Sequence, residues 1–218
     1  MKSRSWFASL SAVFLLGLAS LAARGSGGTT NTCTYETWVW DTRTKKSIDH
    51  QQVSKLREAL TTEEMGSVEG CTVCLEDQEE LHIPGSAPFR VCRKYAPQIL
   101  RALRSSAQEG FQIRELVGYR VGKSKGALDA SGRRTQFSNH SYGTAIDVNP
   151  ALNGLYDHCV QFDPACHLLR GGRYVAGQSG TIDPRSPVYR LMTAAGFRWG
   201  GELKGQQKDF MHFSLSGD

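Results

Sequence analysis

The sequence predicts an α+β domain in which a small antiparallel sheet carries flanking helices. A length of 218 residues suits one domain with an appended segment. Hydrophobic residues make up 39 % of the chain and charged residues 22 %, a balance that excludes a disordered chain. Strand and helix patterns are mixed without a steady alternation, which favours α+β over α/β. The net charge of +5 is spread out with no basic run, so nucleic-acid binding is not expected.

The elements expected in the N-terminal half begin with a short strand at residues 38–40. A helix is predicted over residues 54–65, where apolar positions fall at helical spacing in a helix-forming composition. Residues 70–92 are rich in cysteine and proline and are expected to be irregular and tied by disulfides. Pro97 opens a second predicted helix, which Gly110 ends.

The elements expected in the C-terminal half are mostly strands. Residues 111–119 are predicted to form one strand, and the Gly-, Lys- and Ser-rich residues 121–134 a long surface loop. A short strand follows at residues 145–148. A capping serine and a first-turn proline open a helix at 186, which a glycine ends at 196. Residues 210–215 close the chain as a strand.

The first residues have the features of a secretory signal peptide. Lys2 and Arg4 precede an apolar core at residues 12–19, and small residues follow, so residues 1–23 are interpreted as a cleaved signal. The alternative is an uncleaved membrane anchor, for which the apolar core is short. Residues 24–32 are Gly-, Ser- and Thr-rich and are expected to be a flexible leader. We therefore expect an exported protein, periplasmic or secreted, without stable membrane insertion after cleavage.

The six cysteines of an exported chain predict three disulfides. Cys159 and Cys166 are close in sequence and are expected to pair with each other. The other four are Cys33, Cys71, Cys74 and Cys92, and the sequence leaves their pairing open. Two alternatives are a structural zinc site formed by the last three of these with His82, and a thioredoxin-like redox pair in the C-x-x-C stretch.

Two polar segments supply three candidate metal ligands. The segments are residues 138–147 and 209–213, and the ligands are His140, Asp147 and His212. Three protein ligands that leave one position open are typical of a catalytic zinc site, and zinc accepts both imidazole and carboxylate. The sequence therefore predicts one Zn²⁺ per chain.

The spacing of these residues sets conditions on the backbone. His140 and Asp147 are seven residues apart and would face opposite ways on one regular strand. A turn at Gly143 resolves this, with His140 on a loop and Asp147 on the following strand. Asp209 and His212 are three residues apart, so Asp209 is expected just before the final strand or at a bulge.

The motif S-x-H-x-x-G-x-A-x-D, followed by an acid three residues before a final histidine, resembles the M15 class of zinc D,D-peptidases. This class includes D-alanyl-D-alanine carboxypeptidases, D-Ala-D-Ala dipeptidases and L-alanyl-D-glutamate endopeptidases. Residues 118–120 resemble the G-Y-R element of the family, and residues 196–201 with 209–213 resemble its closing block. The resemblance extends from about residue 118 to residue 213. One departure is Ser214, where family members often have a glutamate.

The resemblance implies a zinc metallopeptidase, carboxypeptidase or endopeptidase, acting on peptidoglycan peptides. Residues 96–218 would form the zinc peptidase domain, with residues 33–95 as a Cys-rich segment packed on it. A rival interpretation is a non-catalytic zinc-containing module that binds the cell wall, and Glu202 is a competing candidate for the base. The implied roles are zinc binding by His140, Asp147 and His212, general base for Asp209, oxyanion stabilisation by Arg120 and substrate contact by Ser138.

Overall fold

The computed structural model describes residues 31–217. The predicted signal peptide at residues 1–23 lies outside the described residues, as does most of the predicted leader. Thr32, the last residue of that leader, already begins the first strand. Across residues 31–217, no helix has both the length and the apolar character needed to cross a membrane.

The described part of the chain contains thirteen strands and three α helices, joined by short 3-10 turns. The helices are α1 (Thr62–Met65), α2 (Ala96–Gln108) and α3 (Pro187–Ala194). The strands are β1 (Thr32–Asp41), β2 (Lys46–Leu56), β3 (Gln78–Leu81), β4 (Phe89–Cys92), β5 (Leu116–Val117), β6 (Val121–Leu128), β7 (Arg134–Phe137), β8 (Ala145–Val148), β9 (Leu155–Asp157), β10 (His167–Arg170), β11 (Arg198–Trp199), β12 (Lys208–Asp209) and β13 (His212–Ser214).

The strands form small sheets, and the α+β class is confirmed. A central antiparallel sheet has the order β11-β13-β8-β5, and a second antiparallel sheet has the order β10-β9-β12. Strands β3 and β4 form a hairpin. The N-terminal sheet has the order β2-β1-β6-β7, in which β1 and β6 run parallel. This parallel pair joins the N-terminal strands to the remainder of the fold.

The main core lies between the two longer helices and the central sheet. Ile99 and Leu103 of α2 and Met192 of α3 are fully buried in one cluster with Ile146 of β8 and Phe213 of β13. Pro97 and Pro187 stand in the first turns of their helices, as predicted. The apolar faces of α2 and α3 therefore support the back of the sheet that carries the site.

The three disulfides are confirmed, and their pairing is now defined. Cys33 pairs with Cys74, Cys71 with Cys92, and Cys159 with Cys166, the local pair expected from the sequence. Among the described residues no cysteine is free. Because every sulfur is already bonded, the alternative zinc site with His82 and the C-x-x-C redox pair are both wrong. The first two bridges tie residues 33–92 together.

The helix predicted over residues 54–65 is wrong for most of its length. Residues 54–56 belong to β2, which pairs with β1. Residues 57–59 form a short 3-10 turn, and the α helix is confined to α1. The pairing of two long strands overrides a helical propensity worth only tenths of a kcal/mol per residue. Helix α1 starts at a capping box in which the Thr61 hydroxyl and the Glu64 carboxylate satisfy each other's backbone N–H groups.

Three further segments differ from the secondary structure that the sequence predicts. The surface loop predicted at residues 121–134 is largely strand β6, because β1 and β7 pair with it on both sides despite its poor strand composition. The strand predicted over residues 111–119 shrinks to β5, and that over 210–215 to β13. The strand at 145–148 and the helix after 186 were predicted correctly.

Candidate metal centre and its cleft

Three side chains of the central region converge on one point. Strand β13 places His212 directly opposite Asp147 of β8. The Oδ1 atom of Asp147 lies 3.0 Å from His212 Nδ1 and 3.1 Å from His140 Nε2. One ligand atom from each residue lies within 4.8 Å of the others, and all three side chains are buried. This spacing allows a single metal ion to contact all three.

His140 reaches the centre from a 3-10 turn at Asn139–Tyr142 that Gly143 ends with a φ of 64°. A Cβ atom at residue 143 would lie 2.3 Å from the backbone nitrogen of Cys92, so only glycine fits. The Nδ1 atom of His140 lies 2.8 Å from the Gly118 carbonyl oxygen, which can only accept. His140 therefore donates from Nδ1 and presents Nε2 to Asp147, the orientation found in metal-bound histidines.

The electrostatics of the cluster suit a metal site. Burial acts to raise the pKa of Asp147, but the charges and hydrogen bonds of the two histidines hold that pKa well below its usual range. Burial lowers the pKa of His140 to about 4. Burial also acts to lower the pKa of His212, but the hydrogen bond and charge of Asp147 outweigh it and raise that pKa. At neutral pH an ionised carboxylate thus faces a neutral His140 ring, both in the states that bind metals.

Asp209 lies beside the cluster at the end of β12, three residues before β13 begins. This agrees with the expectation that it precedes the final strand. Its Oδ1 atom is buried with no hydrogen-bond partner among residues 31–217, and burial raises its pKa to about 6. Residue 200 packs closely against both Asp209 and His212, and this packing requires a glycine. A Cβ atom at Gly200 would lie 2.5 Å from the Asp209 carbonyl oxygen and 3.2 Å from His212 Cβ.

Arg120 and Ser138 line the same cleft as the three candidate ligands. The Nη2 atom of Arg120 lies 3.4 Å from Asp147 Oδ2. Burial lowers the pKa of Arg120 from its ordinary value. The Nε atom of Arg120 and the Oγ atom of Ser138 are buried without hydrogen-bond partners among the described residues. Both side chains face the cleft, so these polar atoms are placed to meet a ligand.

The competing candidate for the base lies elsewhere. Glu202 is exposed, does not line the cleft, and accepts a 2.6 Å hydrogen bond from the hydroxyl of Tyr189. The structure therefore places Asp209, and not Glu202, next to the candidate metal ligands.

The cluster opens into a cleft of about 640 Å³. The N-terminal sheet supplies part of its wall through Trp38 and Trp40, which are two residues apart on β1 and so share one face. Sequence reasoning missed these two tryptophans as site residues. It also missed Gly200 and three cations of the lining, Lys125, Arg134 and Arg170. The alternation of Trp38 and Trp40 along a strand was the available signal.

The donor set fits zinc. Two imidazole nitrogens and one carboxylate are among the ligands that zinc takes in catalytic sites, where a fourth position stays open. The cleft lies on the open side of the cluster, since all three ligands are among its lining residues. The arrangement can therefore hold a metal ion with access for a second molecule.

Comparison with known proteins agrees with this geometry. A model of an M15 peptidase family, described as D-alanyl-D-alanine carboxypeptidase, matches residues 131–215. The matched region contains the three ligands together with Ser138 and Asp209. The match confirms the predicted resemblance to M15-class peptidases over this part of the chain. No solved structure matches the chain.

Proposed function

We propose that this protein is an exported zinc peptidase that hydrolyses peptide bonds in peptidoglycan stem peptides. The observation that carries the proposal is the convergence of His140 Nε2, Asp147 Oδ1 and His212 Nδ1 beside the unpartnered carboxylate oxygen of Asp209. The peptidase family match over residues 131–215 supports both the reaction class and the peptidoglycan substrate. The three disulfides suit an oxidising compartment outside the cytoplasm.

The three converging residues hold the metal in this proposal. When bound, Zn²⁺ would act as a Lewis acid that polarises the scissile carbonyl and activates a water molecule. Gly118 fixes the ring of His140 through its 2.8 Å hydrogen bond, and the β8–β13 register fixes His212 against Asp147. Their burial keeps the ligand positions rigid, which zinc coordination requires.

Asp209 acts as the proton carrier. Its free Oδ1 atom accepts a proton from the attacking water as the water oxygen bonds to the carbonyl carbon. It then gives the proton to the amine nitrogen as the carbon–nitrogen bond breaks. Its position three residues before the start of β13 brings this carboxylate close to His212, and it is not a member of the three-residue cluster.

Arg120 and Ser138 bind the substrate. The guanidinium of Arg120 donates to the oxygen that becomes negative when water adds to the carbonyl. Its contact with Asp147 holds one end of the guanidinium, and its Nε atom has no partner in residues 31–217. The Ser138 hydroxyl, equally unpartnered, binds a polar group of the peptide backbone.

The test is mass spectrometry of defined muropeptides incubated with the purified mature protein, zinc-loaded and chelated in parallel. Zinc-dependent loss of a terminal D-alanine establishes a carboxypeptidase, and an internal cut after L-alanine establishes an endopeptidase. If the zinc-loaded protein yields no product although zinc is bound, the peptidase proposal is wrong. That result would favour the non-catalytic zinc-containing wall-binding module.

A further inference from the structure

The cleft around the metal centre carries more positive than negative side chains. Four cationic residues line it, and the lining carboxylates are Asp147 and Asp209. The cations are Arg120, Lys125, Arg134 and Arg170. The lining alone therefore has a surplus of two positive charges, and a bound Zn²⁺ would add two more. Such a cleft attracts anionic ligands and repels cationic ones.

The cleft-facing cations of β6 and β7, Lys125 and Arg134, differ from the cations beside them in sequence. Lys123 on β6 lies 3.7 Å from the carboxylate of Glu63, and Arg133, just before β7, lies 2.8 Å from that of Asp49. Neither of these paired cations lines the cleft. Across residues 31–217, no ion pair involves Lys125, Arg134 or Arg170, although Arg134 donates to the Gly126 carbonyl. Three of the four cations that line the cleft thus have no acidic partner, whereas the fourth, Arg120, is paired with Asp147.

Two of the unpaired cations lie close to the proposed proton carrier. The β10-β9-β12 sheet aligns Arg170, Leu155 and Asp209 in register across three strands, so their side chains share one face. Two strand spacings separate Arg170 from Asp209, roughly 10 Å between backbones. Lys125 reaches the cleft from a different sheet, and its charge also acts on Asp209 and His212.

We infer that Lys125 and Arg170 bind carboxylates of the substrate, so the preferred substrate is an acidic peptide with a free carboxylate close to the scissile bond. The inference rests on the proposed function in taking the ligand to be a peptide. Charge-assisted hydrogen bonds from lysine and arginine to carboxylate are about twice as strong as neutral ones. A carboxamide in place of the carboxylate would lose this contribution.

The experiment compares two forms of one stem peptide, with the glutamyl α-carboxyl group free or converted to the primary amide. Calorimetry gives the Kd of each form for the metal-free protein and for zinc-loaded Asp209→Asn. We expect the free acid to bind about tenfold more tightly than the amide. Lys125→Gln and Arg170→Gln should each reduce that ratio about threefold, and the double variant should bring it close to one. The matched controls are Lys123→Gln, on the same strand as Lys125, and Arg133→Gln, just before β7. Each removes one positive charge outside the cleft and should leave the ratio unchanged.

Turnover of both peptides by the zinc-loaded wild type separates this inference from the proposed function. A preference in Kd with cleavage of neither peptide contradicts the peptidase and leaves the carboxylate subsite standing. Cleavage of both peptides with equal Kd and equal kcat/KM overturns the subsite and leaves the peptidase standing. A preference that survives in the double variant also overturns the assignment to Lys125 and Arg170. No binding and no cleavage overturns both.

Discussion

The part of the chain that matches the peptidase family and the N-terminal part are built in different ways. In residues 131–215 the candidate metal ligands lie on strands of three or four residues and on one turn, supported from behind by α2 and α3. In residues 31–95 two long strands, β1 and β2, pair with each other, one disulfide links β1 to Cys74, and a second links Cys71 to Cys92. The first part holds the candidate metal centre, and the second supplies a wall of the cleft. Substitutions in each part separate the two contributions.

The largest effect is expected at the metal ligands. His140→Ala or His212→Ala removes one of three ligands from a buried cluster, so zinc binding and peptide hydrolysis should be lost together, the latter by at least about a thousandfold. Zinc content by atomic absorption and muropeptide turnover check this on the same sample. His158→Ala, on an exposed residue away from the cleft, should change neither. Stoichiometric zinc in a purified His140→Ala protein would contradict the ligand assignment.

The next effect concerns Asp209. Asp209→Asn retains the shape of the side chain but cannot accept the proton, so kcat should fall by about 10² to 10⁴ while zinc stays bound. Steady-state kinetics with zinc analysis measure both quantities. Glu202→Gln is the matched control, and it should keep near wild-type turnover because Glu202 contacts Tyr189 outside the cleft. The reverse pattern would show that the base had been assigned to the wrong carboxylate.

The disulfides should differ in their contribution to stability. In the chain-entropy description, the Cys33–Cys74 bridge, with a separation of 41 residues, contributes about 4 kcal/mol to the free energy of unfolding. The Cys159–Cys166 bridge, with a separation of 7, contributes about 2 kcal/mol. Denaturant unfolding of the two double-alanine variants measures the difference. Equal losses would contradict a contribution that grows with the length of the closed loop.

The smallest effect concerns Glu64 in the N-terminal part. Burial acts to raise the pKa of Glu64, but hydrogen bonds from Lys55, Tyr35 and Thr61 outweigh it and lower that pKa to about 2. A carboxyl group whose pKa is lowered by folding stabilises the fold above its unfolded-state pKa. The contribution of Glu64 to the free energy of unfolding should therefore be complete above about pH 4.5 and be lost as the pH falls towards 2.

Glu64→Gln tests this pH dependence. The variant should be about 2 kcal/mol less stable than the wild type at pH 7, with the difference shrinking towards zero near pH 2. Urea unfolding at several pH values measures it. A difference that is independent of pH would show that the loss comes from packing and not from the charge of Glu64.

The sequence specified the candidate site better than the fold around it. The ligand motif fixes residue types, and Gly143 between His140 and Asp147 allowed their convergence to be inferred from backbone geometry alone. The strand β6 was not foreseen, because its glycines, lysines and serines are poor strand formers and its pairing with β1 is a contact distant in sequence. The alternation of Trp38 and Trp40 indicates only that they share one face of a strand. No local signal shows that this face lines the cleft or that Lys125 and Arg170 give the cleft a charge surplus. Both depend on which sheets meet at the cleft.

The proposed zinc site of His140, Asp147 and His212 can be tested by X-ray diffraction from crystals of the zinc-loaded protein, with an anomalous difference map collected at the zinc absorption edge. We expect one strong peak about 2.0–2.2 Å from His140 Nε2, an Asp147 carboxylate oxygen and His212 Nδ1. A zinc-loaded protein whose anomalous peak lies elsewhere, or that shows no peak at these three atoms, would contradict it.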